Sequence, residues 1–512
     1  MVRELACIAV ANISQFNNSS EIIKLIIERI TDSEPAVQIA AIHATINLAN
    51  QFSEELINVG LINLVLPIIA THITNTDQLY SGKQEEHVHQ SLVSTSLYLL
   101  STLCVENEKL SKELKQSILT DQCIAGVLSN NKIITLPSID LLVVFTESDQ
   151  AFSQKILSSQ SQNFFALLPS LDSETKIALV GLVVTALEEI NNFESIFKFA
   201  LPVVLEVLTL DIHSEFLINV KDKLNEENFK SQEHFWTTEA KAQQGALEIL
   251  TNLLASEDGA QPAVLQHLTI EHIKFISKAA NGVPKDVVQS LFNYPELMTI
   301  MISLQHASFS CLQNLILNTS SLQVFVGEVW NMLIDHFDRS LEFSEEETEI
   351  QEDFNELLIV ISKNLCALCK KYPELVAVQS EKQRIISGLL QGIQKKVDDV
   401  AVNLLGVLSC VAKEELGAEV VEKIVACLVL CCGDGNLEVN TEALNVFFDV
   451  FNDEKYDFVL RAAGVMPMMV AGVEVFRQKV FSCADLEVRE HAQEALENLL
   501  EFIKYKALNI PN

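Results

Sequence analysis

The sequence predicts an all-α solenoid of about eleven helical pairs, and three observations support this fold class. Only 16 glycines and 11 prolines occur in 512 residues, which is few for a protein rich in sheets and turns. Apolar residues make up 49% of the chain and recur three or four residues apart, as on one face of a helix. One helical pattern also recurs, and the length divided by a repeat of ~40–47 residues gives about eleven copies.

The clearest copy of this pattern is the stretch 485–506, DLEVREHAQEALENLLEFIKYK. Asp485 can cap the helix by accepting hydrogen bonds from its first free N–H groups. The pattern resembles the second helix of an armadillo or HEAT repeat, which cannot bury its apolar face without a partner helix and neighbouring copies. The predicted architecture is therefore an armadillo/HEAT-repeat right-handed superhelical solenoid. The apolar residues that share one face are Leu486, Val488, Ala492, Ala495, Leu496, Leu499 and Ile503.

Weaker copies of the pattern extend over two halves of the chain. VRELACIAVANI near the N-terminus matches the same template, so residues 1–17 are predicted to be the second helix of a repeat whose first helix is missing. We expect armadillo-like repeats over 1–256, the first of them incomplete, and HEAT-like repeats over 257–512, continuous with the first half. The polar segment 211–239 is predicted to be a loop or a weak helix, and the next second helix to resume at Ala240.

The chain is strongly acidic, with 35 Lys and Arg against 69 Asp and Glu and a net charge of −34. Such a field repels phosphate backbones, so we expect no direct nucleic-acid ligand. The same field favours basic partners. The alternative is that the acidity only keeps the protein soluble.

The 11 cysteines are irregularly spaced, and most lie in apolar helical patterns. There a free thiol packs as a small hydrophobic group, which is typical of a reducing compartment. Cys366 and Cys369 form a CxxC, but the adjacent pair Cys431 and Cys432 is an awkward arrangement for ligating one ion with it. We therefore predict no metal site.

No catalytic or membrane motif is present. The sequence has no Gly-rich phosphate loop, no HExxH and no GxSxG, and its 11 histidines are scattered. No apolar run reaches the ~18–20 residues of a membrane helix, the longest candidate being 177–187. We expect a protein that is not an enzyme, needs no cofactor and does not span a membrane.

Asparagines occupy similar places on the predicted second helices. In armadillo solenoids these helices line the concave groove, where an Asn amide can donate to and accept from the backbone of an extended peptide. The alternative is that each amide caps or bridges loops between repeats. The groove candidates are Asn12, Asn47, Asn252, Asn314 and Asn364.

The densest acidic run is LEFSEEETEIQEDFNE at 341–356, which interrupts a repeat at the rim of the predicted groove. Such a run is usually a solvated loop. A flexible polyanion here could also cover a basic RNA-binding surface in place of the RNA. The candidate cargo-binding residues are Glu342, Glu345, Glu346, Glu347, Glu349, Glu352 and Asp353.

Four blocks resemble the symportin family, also called HEAT-repeat-containing protein 3 in animals. NTEALNVFFDVFNDEKYD (440–457) and EALENLLEFIKYK (494–506) are similar to its C-terminal end. KAQQGALEILTNLLASED (241–258) and FSCLQNLILN (309–318) are similar to its middle. The D-x-F-x-D-E-x-Y-D type of ending is the most specific of these features.

The resemblance implies a solenoid that chaperones the two large-subunit ribosomal proteins that bind 5S RNA. Members carry them into the nucleus with a transportin-type importin, for assembly of the 5S particle. The N-terminal peptide of one cargo lies in the groove, and an acidic loop holds the other. The resemblance thus implies a shuttling protein of the cytoplasm and nucleus, which we expect to be a monomer.

Two departures from the family pattern bear on this function. Family members carry an N-terminal extension with the import signal, which this sequence lacks. Their long acidic loop follows the ALEILTNL helix, where only Glu257 and Asp258 stand here. Either that loop is reduced, or 341–356 takes over its role.

Two rival functions remain open at this level. One is a generic nuclear-transport or scaffold solenoid with a different basic client. The other is a regulatory subunit of a phosphatase or a ubiquitin ligase.

Overall fold

All regular secondary structure in the described residues is helical, which confirms the predicted all-α helical-repeat class. The computed structural model describes residues 2–11, 19–73, 83–129, 131–147, 149–210, 212, 226–255, 268, 272–276, 295–319, 321–343, 351–377, 382–395, 397–412 and 416–509. The helices of the first half are α1 (Val2–Ala11), α2 (Ser19–Ile30), α3 (Pro35–Asn58), α4 (Leu61–His72), α5 (Lys83–Glu106), α6 (Glu108–Lys115), α7 (Leu119–Leu128), α8 (Lys132–Thr146), α9 (Gln150–Leu167), α10 (Ser173–Glu189) and α11 (Leu201–Leu208). Those of the second half are α12 (Glu226–Ala255), α13 (Pro295–Asn318), α14 (Val326–Phe343), α15 (Gln351–Lys371), α16 (Lys382–Ile393), α17 (Asp398–Val411), α18 (Ala418–Cys432), α19 (Leu437–Phe451), α20 (Asp457–Ala462), α21 (Val465–Ser482) and α22 (Leu486–Asn509).

The chain divides into two compact units. One contains residues 1–210, 234–250 and 257–264, and the other contains 211–233, 251–256 and 265–512. The armadillo-like character of 1–256 and the HEAT-like character of 257–512 stay predictions.

The first unit is built from two layers of helices. Helices α1, α3, α5, α8 and α10 pack side by side in sequence order and form its second-helix layer. Each of α2, α4, α7 and α9 packs against the helix that completes its pair, and together they form the first-helix layer. Residues 234–250 of α12 continue the second-helix layer, because Gly245 of α12 lies against Ile177 of α10 and Gly181 of α10 lies against Ile249 of α12.

Short connections in this unit end in residues that cap the next helix. A side-chain oxygen accepts a hydrogen bond from a backbone N–H of the first turn, which satisfies one of the donors left free at a helix start. Helix α3 has no such side-chain cap and begins instead at Pro35, which lacks the N–H that would otherwise be left free at a helix start. The capping residues are Asn107 for α6, Asn131 for α8, Asp149 for α9 and Asp172 for α10.

The second unit repeats the two-layer plan. Helices α13, α15, α17, α19 and α22 pack in sequence order as its second-helix layer, and α14, α16, α18 and α21 each pair with the following member. Asp485 caps α22 as predicted, accepting from the N–H groups of Glu487 and Val488 at 3.0 and 3.1 Å. The predicted apolar face is buried at Ala492, Ala495, Leu496 and Leu499, whereas Leu486 is 62% exposed.

The segment predicted to be a loop or weak helix is in part a strong helix. Residues 213–225 lie outside the described residues, but α12 begins at Glu226, well before Ala240. Trp236 is almost completely buried, and Ala240 lies one helical turn further on the same face. The apolar stripe that begins at Trp236 was not predicted, because charged residues outnumber apolar ones in this segment.

Helix α13 is longer and more apolar than the sequence analysis allowed. Over Glu296–Asn318 it could cross a membrane by length and composition alone. Two bent helix pairs would also qualify if each formed one span, and these are Gln51–Asn58 with Leu61–Thr71, and Glu454–Ala462 with Val465–Ser482. Helix α13 packs against α15, and 61% of its apolar window is buried, so its apolar side chains fill the second-helix layer.

Candidate functional site

The acidic run joins the two helices of a single repeat. Helix α14 ends at Phe343 and α15 begins at Gln351, and these two helices pack against each other. Glu342 is exposed near the end of α14, while Glu352 and Asp353 lie in the first turn of α15. Acidic side chains are favourable in that first turn, where backbone N–H groups point outward. Glu345, Glu346, Glu347 and Glu349 lie outside the described residues.

The acidic surface extends beyond the run along α14. Asp335, Asp338 and Glu342 are spaced three and four residues apart and so share one side of the helix. Arg384 of α16 contacts Asp335 at 3.0 Å and Asp338 at 2.9 Å. Partial burial raises the pKa of Asp338, with contributions from the charges of Asp335 and Glu342, while the Arg384 hydrogen bond opposes the rise. Neither aspartate was among the predicted site residues, although their helical spacing to Glu342 is apparent in the sequence.

Asn364 does not present its amide to a groove. It is fully buried on α15, and its Nδ2 donates to the carbonyl oxygens of Phe309 and Val360, both at 2.9 Å. Because Phe309 belongs to α13, the amide bridges two repeats. Asn364 therefore has the alternative role, in which the amide bridges repeats. A role in direct peptide contact does not fit its burial.

The other groove candidates differ in exposure. Asn314 is half-buried and donates to the carbonyl oxygen of Thr251 at 3.0 Å, so it also bridges helices. Asn47 and Asn252 are exposed on α3 and α12. Asn12 lies outside the described residues. Of the four candidates that the structure describes, Asn47 and Asn252 thus remain exposed.

Helix α19 adds two carboxylates that the sequence analysis did not single out. Asp449 is exposed and accepts a hydrogen bond from Ser409 of the neighbouring helix α17. Glu442 is half-buried, and burial raises its pKa against the opposing effects of Asn445 and the charge of Lys370. Both belong to the second-helix layer of the second unit, where a bound basic segment could neutralise them.

The cysteines show no arrangement for metal binding in the part of the chain that the structure describes. All 11 are free, and among the described residues no three His, Cys, Asp or Glu side chains form a group that could hold a metal ion. Cys366 and Cys369 are buried, and burial raises the pKa of the Cys366 thiol. A hydrogen bond with Cys410, together with burial, raises the pKa of Cys369. Protonated, buried thiols are poor metal ligands and poor nucleophiles.

The blocks that carry the family resemblance contact one another. The Nζ of Lys506, at the end of α22, donates to Asp457 Oδ1 at 2.6 Å and to the carbonyl oxygen of Asp453 at 2.9 Å. Lys506 is fully buried. The hydroxyl oxygen of Tyr456 accepts from the N–H of Leu416 at 2.9 Å. The D-E-x-Y-D ending therefore anchors the last helix.

The stacked helical pairs define the class of the protein, which is a helical-repeat protein with an acidic surface. Residues 262–509 match the model of the family described as SYO1-like, TPR repeats. This range is similar to that family, and three of the four blocks that resemble the symportin family lie within it. The match supports a role of the nuclear-transport adaptor kind.

Solved structures with similar helical stacking include two karyopherins. Yeast importin-β (Kap95p) is 13% identical with a TM-score of 0.47, over 99% of this chain and 66% of that chain. Kap121p bound to the SUMO protease Ulp1p is 12% identical with a TM-score of 0.45, over 99% of this chain and 55% of that one. The chain thus spans just over half the length of Kap121p. No curated protein matches the chain in sequence.

Proposed function

We propose that the protein is a non-catalytic chaperone and nuclear import adaptor for the ribosomal proteins that bind 5S RNA. It acts in assembly of the large ribosomal subunit and shuttles between cytoplasm and nucleus. The observation that carries the proposal is the acidic segment between α14 and α15, which lies inside the range matched to the family.

The acidic surface is the proposed holding site for one cargo. Seven carboxylates of the run, extended by Asp335 and Asp338, face a cargo surface rich in Lys and Arg. Exposed ion pairs contribute only ~0.2–1 kcal/mol each and weaken with salt. Many weak contacts hold the cargo soluble and still allow RNA to displace them, because its phosphates compete for the same basic groups.

The exposed face of a second-helix layer is the proposed site for an extended peptide of the other cargo. Asn47 is exposed on α3 of the first unit and Asn252 on α12, and in the second unit Glu442 and Asp449 of α19 supply negative charge. Asn314 and Asn364 have a supporting role, because their amides already join helices. A transportin-type importin is the proposed carrier, and the adaptor binds it and its cargo as a monomer.

Neutralising the acidic run tests the holding site. The variant changes Glu342, Glu345, Glu346, Glu347, Glu349 and Glu352 to Gln and Asp353 to Asn. Each ribosomal protein that binds 5S RNA is titrated against it at low and at moderate salt. We expect affinity for one cargo to fall at least about tenfold at low salt and its salt dependence to flatten, with the groove-bound peptide of the other little changed.

A matched control removes the same number of charges elsewhere. It changes to Gln seven exposed glutamates of α18 and α22, which are Glu419, Glu422, Glu487, Glu490, Glu494, Glu497 and Glu501. An equal loss of affinity in both variants would show that only net charge matters. Unchanged binding of both cargoes in the first variant would return the run to a solubilising role.

Co-purification separates this function from its rivals. The protein is isolated from cells, and its partners are identified by mass spectrometry. Ribosomal proteins of the 5S particle together with an importin are the expected result. Phosphatase or ubiquitin-ligase subunits in their place would replace the proposal with a regulatory scaffold.

A further inference from the structure

An apolar cleft lies between the last two repeats of the second unit, remote in sequence from the acidic run. Its volume is about 280 Å³. Helices α18 and α21 of the first-helix layer supply most of its lining, and α19 and α22 complete it. The side chains that shape it include Leu444, Phe447, Met468, Met469, Phe476 and Leu499.

The cleft is large enough for an aromatic side chain. A cavity of about 150 Å³ already holds benzene, so about 280 Å³ has room for an indole ring. Two methionines in the lining add adaptability, because the flexible thioether chain adjusts to the shape of a ligand.

The lining continues to the protein surface. Val475 and Met468 border the cleft and are still 59% and 44% exposed. Small-molecule sites usually enclose most of their ligand. A cleft with exposed apolar walls instead fits one anchoring side chain of a larger partner, with the rest of the partner covering the rim.

One cation lies in this apolar lining. Lys479 Nζ donates to Asn440 Oδ1 at 2.7 Å and to the carbonyl oxygen of Asp434. Both of these acceptors within the described residues are neutral oxygens, so neither neutralises the charge of the half-buried Lys479. An ammonium group has three donors, so one remains for a ligand. A carboxylate is the complementary group, because a charge-assisted bond in a half-buried site is stronger than a neutral one.

We propose that this cleft is a docking site for a partner protein segment that presents a large apolar side chain next to a carboxylate. The apolar side chain fills the space between α18 and α21, and the carboxylate accepts the third hydrogen bond of Lys479. The site is separate from the acidic surface and recognises the opposite charge.

Gly472 provides a direct way to fill the cleft. It lies in the lining on α21, and a Cβ atom there would meet nothing within 4 Å. A leucine at this position would occupy the cleft and would also favour the helix over glycine. Gly472→Leu is therefore expected to fold and to block the site. Val470→Leu is the matched control, since Val470 lies on the same helix, is 57% exposed and does not line the cleft.

The test uses N-acetyl-tryptophan and N-acetyl-tryptophanamide, which carry the same indole with and without a carboxylate. The full chain is labelled at its seven methionine methyl groups, and the NMR signals of Met468 and Met469 are followed during titration. We expect saturable shifts at these two methionines, with the acid binding at least about fivefold more tightly than the amide. Lys479→Met should retain indole binding and lose the preference for the acid.

The variants make the result decisive. Gly472→Leu should abolish the shifts, while Val470→Leu should leave them unchanged at an unaltered melting temperature. The absence of saturable shifts at Met468 and Met469 would overturn the proposal. So would equal affinity for acid and amide in the wild type, or undiminished binding by Gly472→Leu.

Discussion

Helices α10 and α12 of the first unit are in close steric contact, whereas at α13 and α15 of the second unit polar side chains reach from one helix to the backbone of its neighbour. Between α10 and α12, a Cβ on Gly245 would lie 2.9 Å from Ile177 Cγ2. Between α13 and α15, by contrast, Asn364 donates to Phe309, and Tyr372 donates to the Thr319 carbonyl at 2.9 Å.

The two kinds of contact fail in different ways. A close glycine contact tolerates the loss of a polar group but not added volume, because a packed interior has no free space for it. A side-chain to backbone bridge is sensitive to loss of its donor, which removes one hydrogen bond from a buried carbonyl. Directional bridges also fix the register between helices, which apolar packing specifies less strictly.

The largest expected effect is at the polar anchor of α22. Lys506→Met removes a fully buried cation and leaves Asp457 without it, so we expect a loss of about 3 kcal/mol in unfolding free energy. Lys504→Met, two residues away and exposed, is the control and should change little. Denaturant unfolding and amide exchange of α22 measure both. Because Asp457→Asn removes the stranded charge, the double variant should recover part of the loss.

The next effect tests the bridge between α13 and α15. Asn364→Ala leaves the carbonyl oxygen of Phe309 without this donor in a buried place, and we expect a loss of about 1–3 kcal/mol. Asn252→Ala, at an exposed position, should stay within about 0.5 kcal/mol of wild type. Equal melting temperatures for the two variants would show that the bridge does not stabilise the repeat.

Two glycine substitutions test the steric contact and should have opposite signs. Gly245→Ala forces Ile177 to move, so we expect about 1 kcal/mol of destabilisation after the gain in helix propensity. Gly181→Ala places its Cβ 3.8 Å from Ile249, an ordinary contact, and should stabilise by about 0.5–1 kcal/mol. Thermal unfolding of both variants measures the difference. Stabilisation by both would mean that α10 and α12 are not tightly packed here.

The smallest effect concerns an acid in the first unit. Burial and the charge of Glu174 raise the pKa of Asp140 on α8 to about 6. Between pH ~4 and about 6, Asp140 is therefore protonated in the folded protein, whereas the same side chain is ionised in the unfolded chain. The contribution of Asp140 to the free energy of unfolding is therefore fully present below pH ~4 and is lost as the pH rises to about 6.

Asp140→Asn should remove that pH dependence. Between pH 4 and 7 the wild type should lose about 1 kcal/mol relative to the variant, a value reduced for solvent screening. Glu113→Gln, at an exposed position of the same unit, is the control. Parallel stability curves for wild type and Asp140→Asn would show that Asp140 titrates normally.

The repeat plan could be predicted from the sequence because it depends on local periodicity. The cap at Asp485 and the apolar stripe of α22 follow from spacing within one helix. The start of α12 was missed, since a run of charged residues conceals the buried stripe that begins at Trp236.

The candidate site was only partly predictable, because its geometry depends on contacts between distant residues. An asparagine on a helix is equally compatible with a surface or a bridging role. Only the hydrogen bond to Phe309, 55 residues earlier in the sequence, shows that Asn364 has the bridging role. Lys506 looks like an exposed residue at a helix end, until Asp457 is found 49 residues before it. Asp335 and Asp338, in contrast, could have been added to the acidic run from their helical spacing.

The acidic connection between α14 and α15 also bears on how such a protein can change during evolution. Its ends are fixed by two helices that pack against each other, so the length between them is free of register constraints. The entropy of closing a loop grows only logarithmically, at about 0.6 kcal/mol for each doubling of length. Insertions of further Glu and Asp there would leave the repeats intact. A lineage could thereby change the number of acidic residues in this segment while the stacked helices stay unaltered.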